Sequence, residues 1–271
     1  MFRLSCFISL IFLSLQVFCA NVATFKVYSQ SMHKDISNTI ILPKEYSANG
    51  RALPVLYALH GATDDHSFWP TIIPKIKNLA DQYSIIIVCP DGAKTSWYID
   101  SPIDANFQYE TYISQELVNF VDRKFNSKTH KADRAIMGLS MGGFGAFYLA
   151  IRHSDVFSAA ISTSGAFDLR PFPDSWDIAK RIGSQTEHPD NWQRYSVVNM
   201  ADLLQGKKLA LFFDIGVDDF FYDSNKQFHE ILVSENIPHS YLEMPGGHTL
   251  EYWQKSINYH FNFLDEHFKS N

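Results

Sequence analysis

The sequence predicts an α/β fold: a doubly wound, mainly parallel sheet with an antiparallel pair of strands at its N-terminal edge. Three observations carry this. Short β-branched runs alternate with segments of helical spacing along most of the 271 residues, which is the pattern of parallel strands joined by crossover helices. The first two strand-like runs have no helix between them, as an antiparallel pair requires. The run Arg134-Ala135-Ile136-Met137 leads into Gly138-Leu139-Ser140-Met141-Gly142, and a small-residue helical pattern leads out, giving strand, sharp turn and helix in succession.

Residues 23–29 and 38–43 read as the edge strands. Leu53-Pro54-Val55-Leu56-Tyr57-Ala58-Leu59 reads as a buried strand running into His60-Gly61-Ala62. A helix over 72–83 and a strand over 84–89 follow, then a loop holding Pro90, Gly92, Trp97 and Tyr98. Residues 109–125 have helical spacing, with Tyr112, Ile113, Leu117, Phe120 and Val121 on one face. The strand 135–139, a helix to Arg152 and a strand over 159–163 come next. The irregular segment 165–206, with Pro171, Pro173, Pro189, Trp176 and Trp192, is expected to lie over the strand ends as a cap or substrate loop. Strands at 208–213 and 240–244 bracket a helix near 223–234, and a helix near 250–268 ends the chain.

Composition narrows the possibilities. Hydrophobic residues make up 46% and charged residues 19%, enough for a large core in one domain spanning 21–271. The net charge is −6 and no Lys or Arg run occurs, so neither nucleic acid nor an anionic membrane is an expected partner. The first twenty residues differ in kind. Arg3 precedes an almost wholly apolar run from Leu4 to Ala20, which reads as a signal peptide and is short for a membrane span. A cut after Ala20 leaves Phe18 at −3, a cut after Cys19 leaves Val17 there, and a lipoprotein site at Cys19 has Phe18 where a small residue is wanted. The expectation is export, to the periplasm or the medium. Of the three cysteines, only Cys89 lies beyond this segment, and it is expected to pack as a small buried hydrophobe.

The turn at Ser140 is a nucleophile elbow. Side chains at its flanking glycines would obstruct it, and it places a hydroxyl at a helix N-terminus, where free N–H groups favour developing negative charge. A serine hydroxyl needs a base, and the base needs a carboxylate. His248, in Met244-Pro245-Gly246-Gly247-His248, follows the last strand and opens the last helix. His239 precedes its strand, while His229, His260 and His267 lie within helical patterns. The acid should follow the strand 208–213, where Asp214, Asp218, Asp219 and Asp223 compete. Asp219 is favoured by its place on the loop that must reach His248, but spacing does not exclude Asp218. Attack on a carbonyl also needs oxyanion donors: the N–H of Met141 and one from Ala62 or Gly61. His60 is expected to hydrogen-bond the loop backbone. Trp97 and Tyr98, with Trp176 and Trp192, are candidates to line an aryl or sugar site.

At these residues the chain resembles the esterase D-like branch of the α/β hydrolases, which takes in S-formylglutathione hydrolases, tributyrin-type acetyl esterases, feruloyl and acetylxylan esterases and the antigen 85 mycolyltransferases. The resemblance covers residues 23–268. It rests on Leu59-His60-Gly61-Ala62, Val88-Cys89-Pro90-Asp91-Gly92, Ser96-Trp97-Tyr98, Gly138-Leu139-Ser140-Met141-Gly142-Gly143, Gly216-Val217-Asp218-Asp219-Phe220 and Gly246-Gly247-His248 with Trp253. It implies an α/β-hydrolase fold with Ser140 as nucleophile, His248 as base, Asp219 as acid, and Met141 and Ala62 as oxyanion donors. The family often carries an aromatic two residues after the histidine, where this chain has Leu250. The expected activity is cofactor-free, metal-free hydrolysis of short-chain acyl, acetyl or feruloyl esters, the alcohol being small or a carbohydrate. The same residues would serve an acyltransferase with a sugar hydroxyl as acceptor. A binding protein on a dead hydrolase scaffold would not need the complete set.

Overall fold

The computed structural model describes residues 20–270; the leader expected over 1–20 falls outside them except for Ala20. Eight strands form one sheet: β1 (Asn21–Ser29), β2 (Lys34–Leu42), β3 (Val55–Leu59), β4 (Ile86–Pro90), β5 (Arg134–Leu139), β6 (Ala159–Thr163), β7 (Ala210–Gly216) and β8 (Ser240–Met244). Their order is β1-β2-β4-β3-β5-β6-β7-β8. β1 and β2 pair antiparallel, β2 joins β4 antiparallel, and every later pairing is parallel. This is the α/β-hydrolase fold expected from the sequence.

Strand periodicity divides the core in two. In β3, Val55, Tyr57 and Leu59 join one apolar cluster while Leu56 and Ala58 join the other, because successive side chains leave opposite faces. The first cluster packs under residues 109–124 and the helix Met141–Arg152. The second packs under the helices Lys75–Tyr83 and Leu250–Ser270. The central strands are buried on both faces, so they read as continuous hydrophobic runs. Cys89 is buried and unpaired, and burial pushes its thiol pKa up.

Several boundaries differ from the sequence expectation. The helix expected over 72–83 is two, Phe68–Ile72 and Lys75–Tyr83, broken at Ile73 with φ −120° and ψ 64°. Pro74 follows Ile73, and a residue before proline is pushed out of the helical region. The helix over 109–124 contains a π-helical turn, Tyr112–Leu117. Strand β7 runs on to Gly216, so Asp214 lies inside a strand rather than at its end. The segment 165–206 holds two short helices, Ile178–Ile182 and Pro189–Tyr195. It is tied to the loop after β4 by Thr95 donating to Asp177 (3.1 Å) and Tyr195 donating to the Asp100 carbonyl (3.3 Å). No helix among the described residues is long and apolar enough to cross a membrane.

Candidate active site

Ser140 occupies the turn between β5 and the helix Met141–Arg152 with φ 54° and ψ −120°, a strained conformation for a residue with a side chain. Two glycines permit it. A Cβ on Gly138 would lie 2.1 Å from the Gly142 carbonyl oxygen, and one on Gly142 would lie 2.4 Å from that of Leu59. The Ser140 N–H donates to the Thr163 carbonyl at 3.0 Å, which pins the elbow to β6.

His248 reaches Ser140 from the loop after β8. Its Nε2 lies 3.0 Å from the Ser140 Oγ, and its Nδ1 lies 2.9 and 3.1 Å from the two carboxylate oxygens of Asp219. A carboxylate can only accept, so Nδ1 carries the proton and Nε2 is left to accept from the serine hydroxyl. The Asp219 side chain is fully buried, and its Oδ1 also accepts the Phe221 N–H at 2.9 Å. The competing acids are placed elsewhere. Asp218 is exposed and makes backbone contacts with the glycine loop. Asp223 is exposed in the first turn of the helix Tyr222–Ser234. Asp214 is buried against His260, at 2.5 Å, and Thr163, at 2.9 Å.

The loop after β3 is fixed by His60. Its Nε2 accepts the Gly92 N–H at 2.8 Å, so Nδ1 holds the proton and donates to the Gly61 carbonyl at 2.7 Å. Burial lowers the His60 pKa and favours this neutral form. With the Gly61 carbonyl held there, the trans peptide sends the Ala62 N–H the opposite way. Among the described residues neither the Ala62 nor the Met141 N–H has a hydrogen-bond acceptor. Met141 opens a twelve-residue helix, so its N–H stands at the positive end of the helix dipole.

Trp97 and Tyr98 are not where the sequence reading put them. They are 2% and 0% exposed, so neither offers a face to a substrate. Both act one layer back: Tyr98 Oη donates to the His60 carbonyl at 3.0 Å, and Trp97 Nε1 donates to the Trp176 carbonyl at 3.0 Å. Trp192 is also buried, donating to the Gly183 carbonyl. The aromatic beside the histidine is Phe220, 54% exposed, with its ring centroid 4.4 Å from that of His248. Sequence reasoning missed it. Its only signal was an aromatic pair directly after the candidate acid, and nothing there says which ring faces outward. Along the sheet edge from the loop after β3, a charged cleft of about 390 Å³ is lined in part by Lys34, Asp64, Asp91 and Lys94.

A buried carboxylate, an imidazole and a serine in one hydrogen-bonded chain, on a strained elbow between a parallel strand and a helix, define an α/β-hydrolase with a serine-histidine-carboxylate site. The chain belongs to the Esterase family, whose model matches residues 29–264. An esterase of Mycobacterium tuberculosis is 29% identical over 236 residues, covering 78% of this chain and 52% of that protein, so the chain spans about half its length. An acetyl esterase of Caldicellulosiruptor saccharolyticus is 24% identical over 258 residues, covering 88% of this chain and 96% of the relative. Among solved structures, a ferulic acid esterase superposes with TM-score 0.78 at 27% identity, over 92% of this chain and all of that one.

Proposed function

We propose that this chain is an exported serine hydrolase of carboxylic esters, acting on short-chain acyl, acetyl or feruloyl esters of carbohydrates. The observation that carries the reading is the His248 imidazole, bridging the Asp219 carboxylate and the Ser140 hydroxyl at hydrogen-bond distance on both sides.

Ser140 Oγ attacks the ester carbonyl carbon as its proton passes to His248 Nε2, and Asp219 stabilises the imidazolium that forms. The N–H groups of Met141 and Ala62 hold the oxyanion; fixed donors of this kind need no reorganisation as charge develops. Collapse of the tetrahedral intermediate breaks the bond to the alcohol oxygen, which leaves with the proton from His248. Water then repeats the sequence on the acyl-enzyme, with His248 again taking a proton, and regenerates Ser140.

The preference for acetyl or feruloyl groups draws on the acetyl esterase and ferulic acid esterase to which the chain is similar. Export draws on the apolar run from Leu4 to Ala20 behind Arg3. The test is labelling by a fluorophosphonate probe, followed by a panel of acetyl, butyryl and feruloyl esters on one preparation. The wild type should label and hydrolyse at least one ester, and Ser140→Ala should do neither. Intact mass of the extracellular or periplasmic product tests export; a full-length cytoplasmic product would refute it.

A further inference from the structure

The alcohol oxygen leaves with a proton from His248, so it must come within about 2.6–3.2 Å of Nε2. The alcohol part of the ester therefore exits the site beside the imidazole. Three aromatic rings surround that imidazole. Phe221 and Trp253 meet it edge-on, with centroids at 5.4 and 5.1 Å. Phe221 is buried, and Trp253 is tied back by its Nε1 donating to Ser164 Oγ. Trp253 is half-buried, whereas Phe220 is 54% exposed and stacks nearly parallel to Trp176 with centroids 6.0 Å apart and planes 18° from each other.

The shelf is built with strain. Trp176 and Asp177 have φ of 44° and 54°; Trp97, whose ring meets that of Trp176, and its neighbour Tyr98 have φ of 58° and 54°. None of these is glycine, so all four conformations cost energy. The two segments are clamped together by Trp97 Nε1 donating to the Trp176 carbonyl and Thr95 donating to Asp177. What the clamp holds in place is the Trp176 ring beside Phe220. The neighbouring loops expose two apolar side chains, Val217 (46%) before the acid and Leu250 (39%) after the histidine, beside the polar Asp218 and Thr249.

We infer that the Phe220–Trp176 shelf is the subsite for the alcohol half of the ester, and that it takes a flat ring with a carbon-rich face carrying the ester oxygen. A sugar ring and an aryl ring both have such a face. The inference rests on the esterase reading above and names the residues that would hold the alcohol half of that ester.

Three acetates test it: ethyl acetate without a ring, phenyl acetate with an aryl ring, and a monoacetylated methyl xylopyranoside with a sugar ring. In Phe220→Leu, kcat/KM for at least one ring ester should fall about tenfold more than for ethyl acetate, mainly through KM, as loss of one aromatic stack implies. Phe220→Trp should restore it. The ester that shows the selective loss identifies the sugar or the aryl source. Equal losses on all three esters, or a wild type inert on all three, would overturn the inference while leaving the esterase reading intact; a wild type inert on the butyryl and feruloyl esters as well would overturn both. Should Phe220→Leu not fold, inhibition of the wild type decides. Phenol or methyl xylopyranoside should compete at concentrations at least about tenfold below ethanol, and equal potency would overturn the proposal.

Discussion

Two imidazole–carboxylate pairs sit five residues apart along β7 and its following turn, and they have different fates. Asp219 and His248 meet at 2.9 Å, and Asp214 and His260 meet at 2.5 Å. Both carboxylates are fully buried, and both histidines lie in the last quarter of the chain. What separates them is the second ring nitrogen. In His248 it faces the Ser140 hydroxyl from a site open to solvent. In His260 it is Nδ1, buried and without a partner among the described residues. Asp214 also accepts from Thr163, whose hydroxyl lies 3.2 Å from Ser256 on the terminal helix, so that pair clamps the helix to the sheet. A histidine against a carboxylate is therefore not a site in itself. Chemistry requires a nucleophile on the far nitrogen and an open face.

The largest effect should come from removing the proposed nucleophile. Ser140→Ala should lower kcat by roughly 10⁵–10⁶-fold without shifting the thermal midpoint, because among the described residues the hydroxyl has no hydrogen-bond partner other than His248. Residual activity near wild type would move the chemistry elsewhere. Next is the acid. Asp219→Asn should lower kcat by about 10⁴-fold, since the amide no longer enforces the imidazole tautomer. Asp218→Asn, on an exposed carboxylate beside it, should change little; the reverse result would reassign the acid.

The second pair should answer to a different assay. Asp214→Asn should cost about 3 kcal/mol in urea unfolding, because it breaks a buried pair and leaves His260 uncompensated. The kcat of the folded fraction should stay at the wild-type value. A loss of kcat without a loss of stability would show that the distinction between the two pairs is false.

How far the comparison was legible in the sequence depends on what each residue encodes locally. The elbow was legible because Gly138 and Gly142 are there for close backbone approach, which few other residues allow. His248 was legible because it follows a strand through two glycines, while His260 sits in a helical pattern. Asp214 and Asp219 were harder. Strand β7 continues through Asp214-Ile215-Gly216, and no local signal ends it there; the extension is decided by pairing with β8, where Gly216 lies opposite Met244. Trp97 and Tyr98 were candidates to line a substrate site as loop aromatics, and nothing local to them separates that role from core packing. Their burial comes from the segment 165–206 folding over them, a long-range contact that composition does not encode.

A third carboxylate–imidazole contact sharpens the comparison at the smallest scale. Glu110 accepts from His153 at 2.9 Å, from Arg152 at 2.7 Å and from Tyr148 at 2.7 Å, joining residues 109–124 to the end of the helix after the elbow. Burial opposes its ionisation, but those three donors outweigh burial and hold its pKa down at about 2, against 4.5 for an ordinary glutamate. A carboxylate whose folded pKa is depressed stabilises the fold above its unfolded pKa, and that contribution is lost as pH falls through the folded value. Glu110→Gln should therefore cost about 2 kcal/mol at neutral pH, the weight of hydrogen bonds to a charged group. The gap between variant and wild type should hold constant down to about pH 4.5 and close between there and about pH 2. Chemical denaturation at a series of pH values reads this directly. A gap that stays constant across that window would mean the network is held by packing rather than by the ionised carboxylate.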